Sequence, residues 1–125
     1  MFNLNDSMRY WYYNKPTDMR KSFYSLSGLI TNNMHMDVLS GDVFVFINKR
    51  RNRMKILHME PGGLVLYSKL LEVGRFRIPL ADKETGEVSL YWKDLVMIVE
   101  GIKDDPSTRQ KRLKIHQKNG VKSYF

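Results

Sequence analysis

The stretch from Gly41 to Phe76, GDVFVFINKRRNRMKILHMEPGGLVLYSKLLEVGRF, decides the fold. Val43 to Ile47 is an unbroken apolar run, short enough for a strand and apolar toward both faces, which predicts a central strand covered on each side. Lys49-Arg50-Arg51-Asn52-Arg53 follows, with four cations in five positions. Met54 to Met59 is apolar-rich again, and Lys55 sits between Met54 and Ile56, so it points the opposite way from those two. Pro61-Gly62-Gly63 marks a turn, and Leu64 to Leu71 is a third run. This pattern predicts a β-hairpin with a strongly basic tip, followed by another antiparallel strand. A basic tip on a β-ribbon suits a polyanion, above all the phosphates of nucleic acid.

Working outward, Met8 to Tyr13 (MRYWYY) is aromatic-rich and fits a first strand, broken by Asn14-Lys15-Pro16. Thr17 or Asp18 can cap a helix on which Met19, Phe23, Leu26 and Ile30 fall at helical spacing, with Asn32-Asn33 at its end. This places Arg20 and Lys21 in the first turn. Gly28 inside that helix suggests close packing against the sheet. Downstream, Arg75-Phe76-Arg77-Ile78 alternates as a strand does, and Pro79 ends it. Asp82 to Glu87 reads as a turn region and Val88 to Leu90 as one more short strand. Trp92, Leu95, Val96, Val99 and Ile102 repeat at helical spacing, so Trp92 to Glu100 is a second helix, with Gly101 at the position of a left-handed cap. The expected architecture is a single α+β domain over residues 1–103. It has a mainly antiparallel sheet of five or six strands, joined consecutively by short turns, and two helices packed on one side. Residues 104–125 form a basic C-terminal tail.

Composition narrows the function classes. With 125 residues and 42% hydrophobic content, the chain is one domain's worth. It has no Cys, so disulfides and thiolate metal sites are excluded, which fits a reducing, cytoplasmic setting. No apolar run approaches the roughly 18 residues of a membrane span, and the first fourteen residues lack the pattern of a secretory signal. The net charge is +8. Lys103 to Phe125 holds seven Lys/Arg and two Asp, a net of +5, which leaves +3 for the remainder. Clustered cations of this kind suit a phosphate surface, because binding releases condensed counterions; a solvated, solubilising face is the plainer reading.

A set of words in fixed order carries a resemblance. PTDMRK (16–21) is followed by LSGL (26–29), GDVFVFINKRR (41–51), GGLVLYSK (62–69) and GRF (74–76), with WKDLVMIVEGI (92–102) at the close. Over roughly residues 8 to 102 this resembles TnpB, the accessory protein of the insertion sequence 66 family of bacterial transposable elements. The resemblance implies an accessory role in transposition beside a separate transposase of the same element. Two places depart from the family pattern: Met59 stands where an aromatic residue is usual, and Lys69-Leu70-Leu71-Glu72 stands where Lys-Arg-Leu-Glu is usual, one cation fewer.

The candidate nucleic-acid-binding residues are Lys49, Arg50, Arg51 and Arg53 at the tip, Lys55 on the rising strand, and Arg20 and Lys21 upstream. Four cations so close together repel one another, and a turn requires none of them. For Arg20 and Lys21 the alternative is pairing to Asp18 or another acid. For Arg75 and Arg77 it is pairing to Glu72, Glu84 or Glu87. The tail cations Arg109, Lys111, Arg112, Lys114, Lys118 and Lys122 suit either a phosphate-tracking arm or a solvated terminus. The rings of Tyr10, Trp11, Tyr12 and Tyr13 offer base-stacking surfaces, or a half-buried strand. Asp18, Asp42, Glu60, Glu72 and Glu100 do not form an evident carboxylate site, and His35, His58 and His116 lack metal-ligand spacing. No phosphate loop or nucleophile motif is present. The expected function is therefore non-catalytic and without a cofactor. It is DNA binding through the basic hairpin or, alternatively, docking on the element's transposase, with RNA binding as a third option. Neither a metal nor a membrane is expected as a partner.

Overall fold

The computed structural model describes residues 4–79 and 87–102. Five strands and two helices appear in the order β1 (Tyr10–Tyr13), α1 (Phe23–Asn32), β2 (Val43–Ile47), β3 (Arg53–Glu60), β4 (Gly63–Leu70), β5 (Glu87–Leu90) and α2 (Trp92–Glu100), with one 3-10 turn at Val38–Ser40 before β2. The sheet order is β4-β3-β2-β1-β5. As the sequence predicts, the architecture is α+β with a mostly antiparallel open sheet.

The unbroken apolar run of β2 explains the layering. Every residue from Val43 to Ile47 is buried. Val43, Val45 and Ile47 join a core with Tyr10, Tyr12, Ile56, Leu95 and Ile98, while Phe44 and Phe46 join a second core with Tyr13, Leu26, Ile30 and Leu57. Alternate side chains of one strand point to opposite faces, so α1 and α2 lie on opposite faces of the sheet. This corrects the expectation that both helices cover one side: a strand apolar on both faces needs cover on both. Truncating Phe44 or Phe46 to Ala would leave a cavity costing about 3–5 kcal/mol.

Two further expectations change. The strands are not all joined consecutively by short turns: β1 runs parallel to β2, Tyr10 opposite Val43 and Tyr12 opposite Val45, with α1 in the crossover. Such a crossover needs a dozen or more residues, which the chain between Asn14 and Asp42 supplies. Arg75 to Ile78 is not a strand. Arg75 makes a single antiparallel bridge with Ile102, and Phe76 is buried while its N–H goes to the Arg51 carbonyl (2.6 Å). The period-two signal there reports one buried ring in a segment crossing the end of the sheet. The predicted strand at Val88 to Leu90 is β5, which pairs antiparallel with β1.

α1 begins at Phe23, later than Thr17 or Asp18 would place it. Ser22 is its N-cap, and the Ser22 N–H donates to the Ser25 hydroxyl (2.8 Å). Arg20 and Lys21 therefore precede the helix rather than sit in its first turn. A Cβ on Gly28 would find its nearest neighbour, Asn32 Nδ2, at 4.0 Å, so that glycine marks no close approach to the sheet. Gly101 has φ 76° and ψ 176°, a positive-φ stop but not a left-handed helical one. The turn expected at Asp82 to Glu87 lies outside the described residues except for Glu87, and the tail 104–125 lies wholly outside them.

Candidate nucleic-acid interface

The tip joining β2 to β3 is built around Asn48. Its Oδ1 accepts from the N–H groups of Asn52 and Arg53, both at 3.0 Å, and its Nδ2 donates to Asn52 Oδ1 at 2.8 Å. The Arg51 N–H closes on the Asn48 carbonyl (3.0 Å), with Arg51 in the left-handed region at φ 59°. Both flanks of the tip are held by other segments. The Asn52 and Arg51 carbonyls accept from the N–H groups of Leu71 (2.8 Å) and Phe76 (2.6 Å), and the Ile47 carbonyl accepts from the Thr17 N–H (2.9 Å).

That last bond brings the Pro16 to Lys21 segment beside the tip. Asp18 organises it: Oδ1 accepts from the Arg20 N–H at 2.9 Å, and the carboxylate takes the Arg20 guanidinium through Nε at 3.0 and 3.1 Å and Nη2 at 2.6 Å. These hydrogen bonds from Arg20 hold the Asp18 carboxyl down at about 2 and push the Arg20 guanidinium upward. Lys55 bolts the segment to the sheet. Its Nζ, aimed away from Met54 and Ile56 as the alternation predicts, donates to the carbonyls of Met19 (2.8 Å) and Lys21 (2.5 Å).

Between the two segments lies an open groove of about 690 Å³, lined by Pro16 through Arg20, by Asn48, Lys49, Arg50, Asn52 and Arg53, and by Leu70. It gathers four cations against one carboxylate. Lys49, Arg50 and Arg53 are exposed, and among the described residues no hydrogen bond or ion pair engages their side chains.

The seven candidate residues thus separate. Arg20, Lys49, Arg50 and Arg53 share the groove. Arg51 is half-buried and lies near Tyr12, where its charge partly opposes the burial that lifts the Tyr12 hydroxyl to about 12. Lys55 anchors, and Lys21 is half-buried beside that anchor. Sequence reading missed the roles of Asn48 and Asn52, although it marked position 70 as lacking a cation; the asparagines before and within the cationic run were the available signal, since Asn side chains close turns on nearby backbone.

Other candidates fall elsewhere. Tyr10, Tyr12 and Tyr13 are in the core, and Trp11 is half-buried with its Nε1 donating to Asp42 Oδ2 (3.0 Å), so this cluster presents no stacking platform. Asp42 also pairs with Arg9 (3.0 Å) and locks β1 to the entry of β2. His58 is buried on β3. No group of three His, Cys, Asp or Glu among the described residues is placed to hold a metal, and no helix there is long and apolar enough to cross a membrane.

A family model described as IS66 Orf2 like protein matches residues 8–112. The chain belongs to this family. As an IS66 Orf2-like protein it is an accessory protein of an insertion element, and the match extends ten residues past Ile102. It is similar to two proteins of Sinorhizobium fredii, both named as uncharacterized. One, y4jC, is 28% identical over 88 residues, covering 70% of this chain and 74% of that protein. The other, y4hO, is 29% identical over 102 residues, covering 82% and 87%. No solved structure matches this IS66 Orf2-like chain. The departure from the family pattern at position 70 now has a location: Leu70 is the register partner of Arg53 and lines the groove.

Proposed function

We propose that this insertion-element accessory protein is a non-catalytic DNA-binding protein, acting in the cytoplasm, whose groove holds backbone phosphates. The observation that supports this is the convergence of Lys49, Arg50 and Arg53 on one open groove with no partner among the described residues. Three exposed cations held close, with the groove's one carboxylate already paired to Arg20, repel one another, and a polyanion relieves that repulsion while releasing its counterions. Arginine adds a planar fork that grips a phosphate through two N–H groups. Arg20 is a fourth contact restrained by Asp18, while Lys55 and Lys21 shape the wall rather than touch the ligand.

The test is fluorescence anisotropy on labelled DNA of the element-end sequence and of a scrambled sequence, in single-stranded and duplex form, across a salt series. The logarithm of affinity is expected to fall linearly with the logarithm of salt concentration. A Lys49→Ala/Arg50→Ala/Arg53→Ala variant should lower that slope by about 2–3, the value for three lost phosphate contacts. If no form of DNA binds at low salt, or the variant binds as the parent does, the reading fails. Docking on the element's transposase then becomes the function to pursue, through a complex that survives nuclease.

A further inference from the structure

We propose that the groove takes a single, unpaired DNA strand in preference to a duplex; the proposal rests on the DNA-binding reading above and specifies its substrate.

The shape of the tip is the first ground. A β-ribbon that reads a duplex inserts its strands into the major groove, which is about 12 Å wide. That requires a tip standing clear of its neighbours. Here the chain flanks the tip on both sides: Thr17 is bonded to the Ile47 carbonyl, and Leu71 and Phe76 are bonded to the Asn52 and Arg51 carbonyls. The base of the tip is tied to both neighbours, and Lys49, Arg50 and Arg53 line a concavity shared with the Pro16 to Arg20 segment. A concavity of about 690 Å³ falls in the range, roughly 300–1,000 Å³, of pockets that enclose a small molecule. That is room for a few nucleotide units along the groove.

The lining is the second ground. Pro16, Met19 and Leu70 stand among the groove's cations, and Leu70 is 56% exposed. The outside of a duplex offers phosphates and sugars, with the ring faces hidden by stacking, so apolar surface there has nothing to match. An unpaired strand presents phosphate and bare ring in alternation; proteins that hold single strands combine a cationic groove with aromatic side chains on which the bases stack, and here aliphatic side chains offer the rings an apolar surface between the cations.

The third ground is an aromatic side chain that the core does not use. Tyr24, on the first turn of α1 and four residues along the chain from Arg20, is 92% exposed. Lys21, Ser22 and Phe23 separate this exposed ring from the groove wall in sequence, and a strand that leaves the groove would stack a base on it.

The test compares one short labelled strand as single-stranded DNA, as the blunt duplex with its complement, and as RNA of the same sequence. The proteins are the parent, Tyr24→Ala and Leu70→Ala; both positions are exposed, so the fold should tolerate each change. The single DNA strand is expected to bind at least about tenfold more tightly than the duplex. Each substitution should weaken single-strand binding by about fivefold or more, the loss of one base contact, and leave duplex binding unchanged. Duplex binding as tight as single-strand binding overturns this inference while leaving the DNA-binding reading standing. Single-strand binding indifferent to both substitutions overturns the base contacts and the inference with them. RNA bound tenfold more tightly than DNA overturns the assignment of DNA as the ligand. Binding of no form overturns both this inference and the reading on which it rests.

Discussion

The two turns at the ends of β3 are built differently. At one end, Pro61 and Gly62 connect β3 to β4 with Gly62 at φ 95°; a Cβ on Gly62 or Gly63 would meet nothing within 4 Å, and this turn only reverses the chain. At the other end, five residues connect β2 to β3. They are knitted by three side-chain hydrogen bonds of Asn48 and held by backbone bonds from two remote segments. Reversing a hairpin requires only two residues and the right φ. The basic end therefore fixes the backbone that carries its cations more firmly than chain reversal requires, which is what a preorganised site would need.

The largest test of that contrast is Asn48→Ala. It leaves the Asn52 and Arg53 N–H groups without their acceptor, and should destabilise the protein by about 2–3 kcal/mol in urea denaturation. Pro61→Ala at the plain turn should stay within about 1 kcal/mol. Equal losses at both ends would end the distinction. A smaller effect is expected through the segment that holds the tip from behind. Gly101 has a positive φ, and a Cβ there would sit 2.8 Å from Leu71 Cδ1 and 3.4 Å from the Arg75 carbonyl. Gly101→Ala should cost about 1–2 kcal/mol and displace the clamp at Leu71 and Phe76, seen as weakened DNA binding.

The smallest effect sharpens the comparison electrostatically. Asp18→Asn releases Arg20 and adds one net positive charge to the groove. The salt slope of binding should steepen by about 0.7–0.9. Because Arg20 holds the Asp18 carboxyl at about 2, below its ordinary 3.8, its contribution to stability is present above about pH 4 and lost as the pH falls toward 2. The stability difference between the parent and the Asn variant should be constant above about pH 4 and change only as the pH falls from there toward 2, read by acid titration of both.

How far the sequence foretold this arrangement differs by feature. β2 was legible because an unbroken apolar run means burial on both faces, and the same run carried the information that the helices must lie on opposite sides. The pairing of β1 with β2 and β5 was not, since its partners lie some 30 and 75 positions away and short-range periodicity says nothing about such distances. At the site, the cations were plain in KRRNR. The ties that hold the tip against its neighbours were hidden because they depend on the backbone N–H groups of Thr17, Leu71 and Phe76, which have no side-chain signature. The separation of Arg51 and Lys55 from the groove followed from a left-handed φ and from two carbonyls, both tertiary facts.

The parallel insertion of β1 also has a consequence in time. On the ribosome, β1 is made early, and β2 joins it some thirty residues later. Its other neighbour, β5, begins 74 residues after β1 ends. At about 5–20 residues per second, the aromatic strand YWYY waits roughly 4–15 s with that edge open, so each newborn copy has an interval in which a strand from another molecule can take the place reserved for its own.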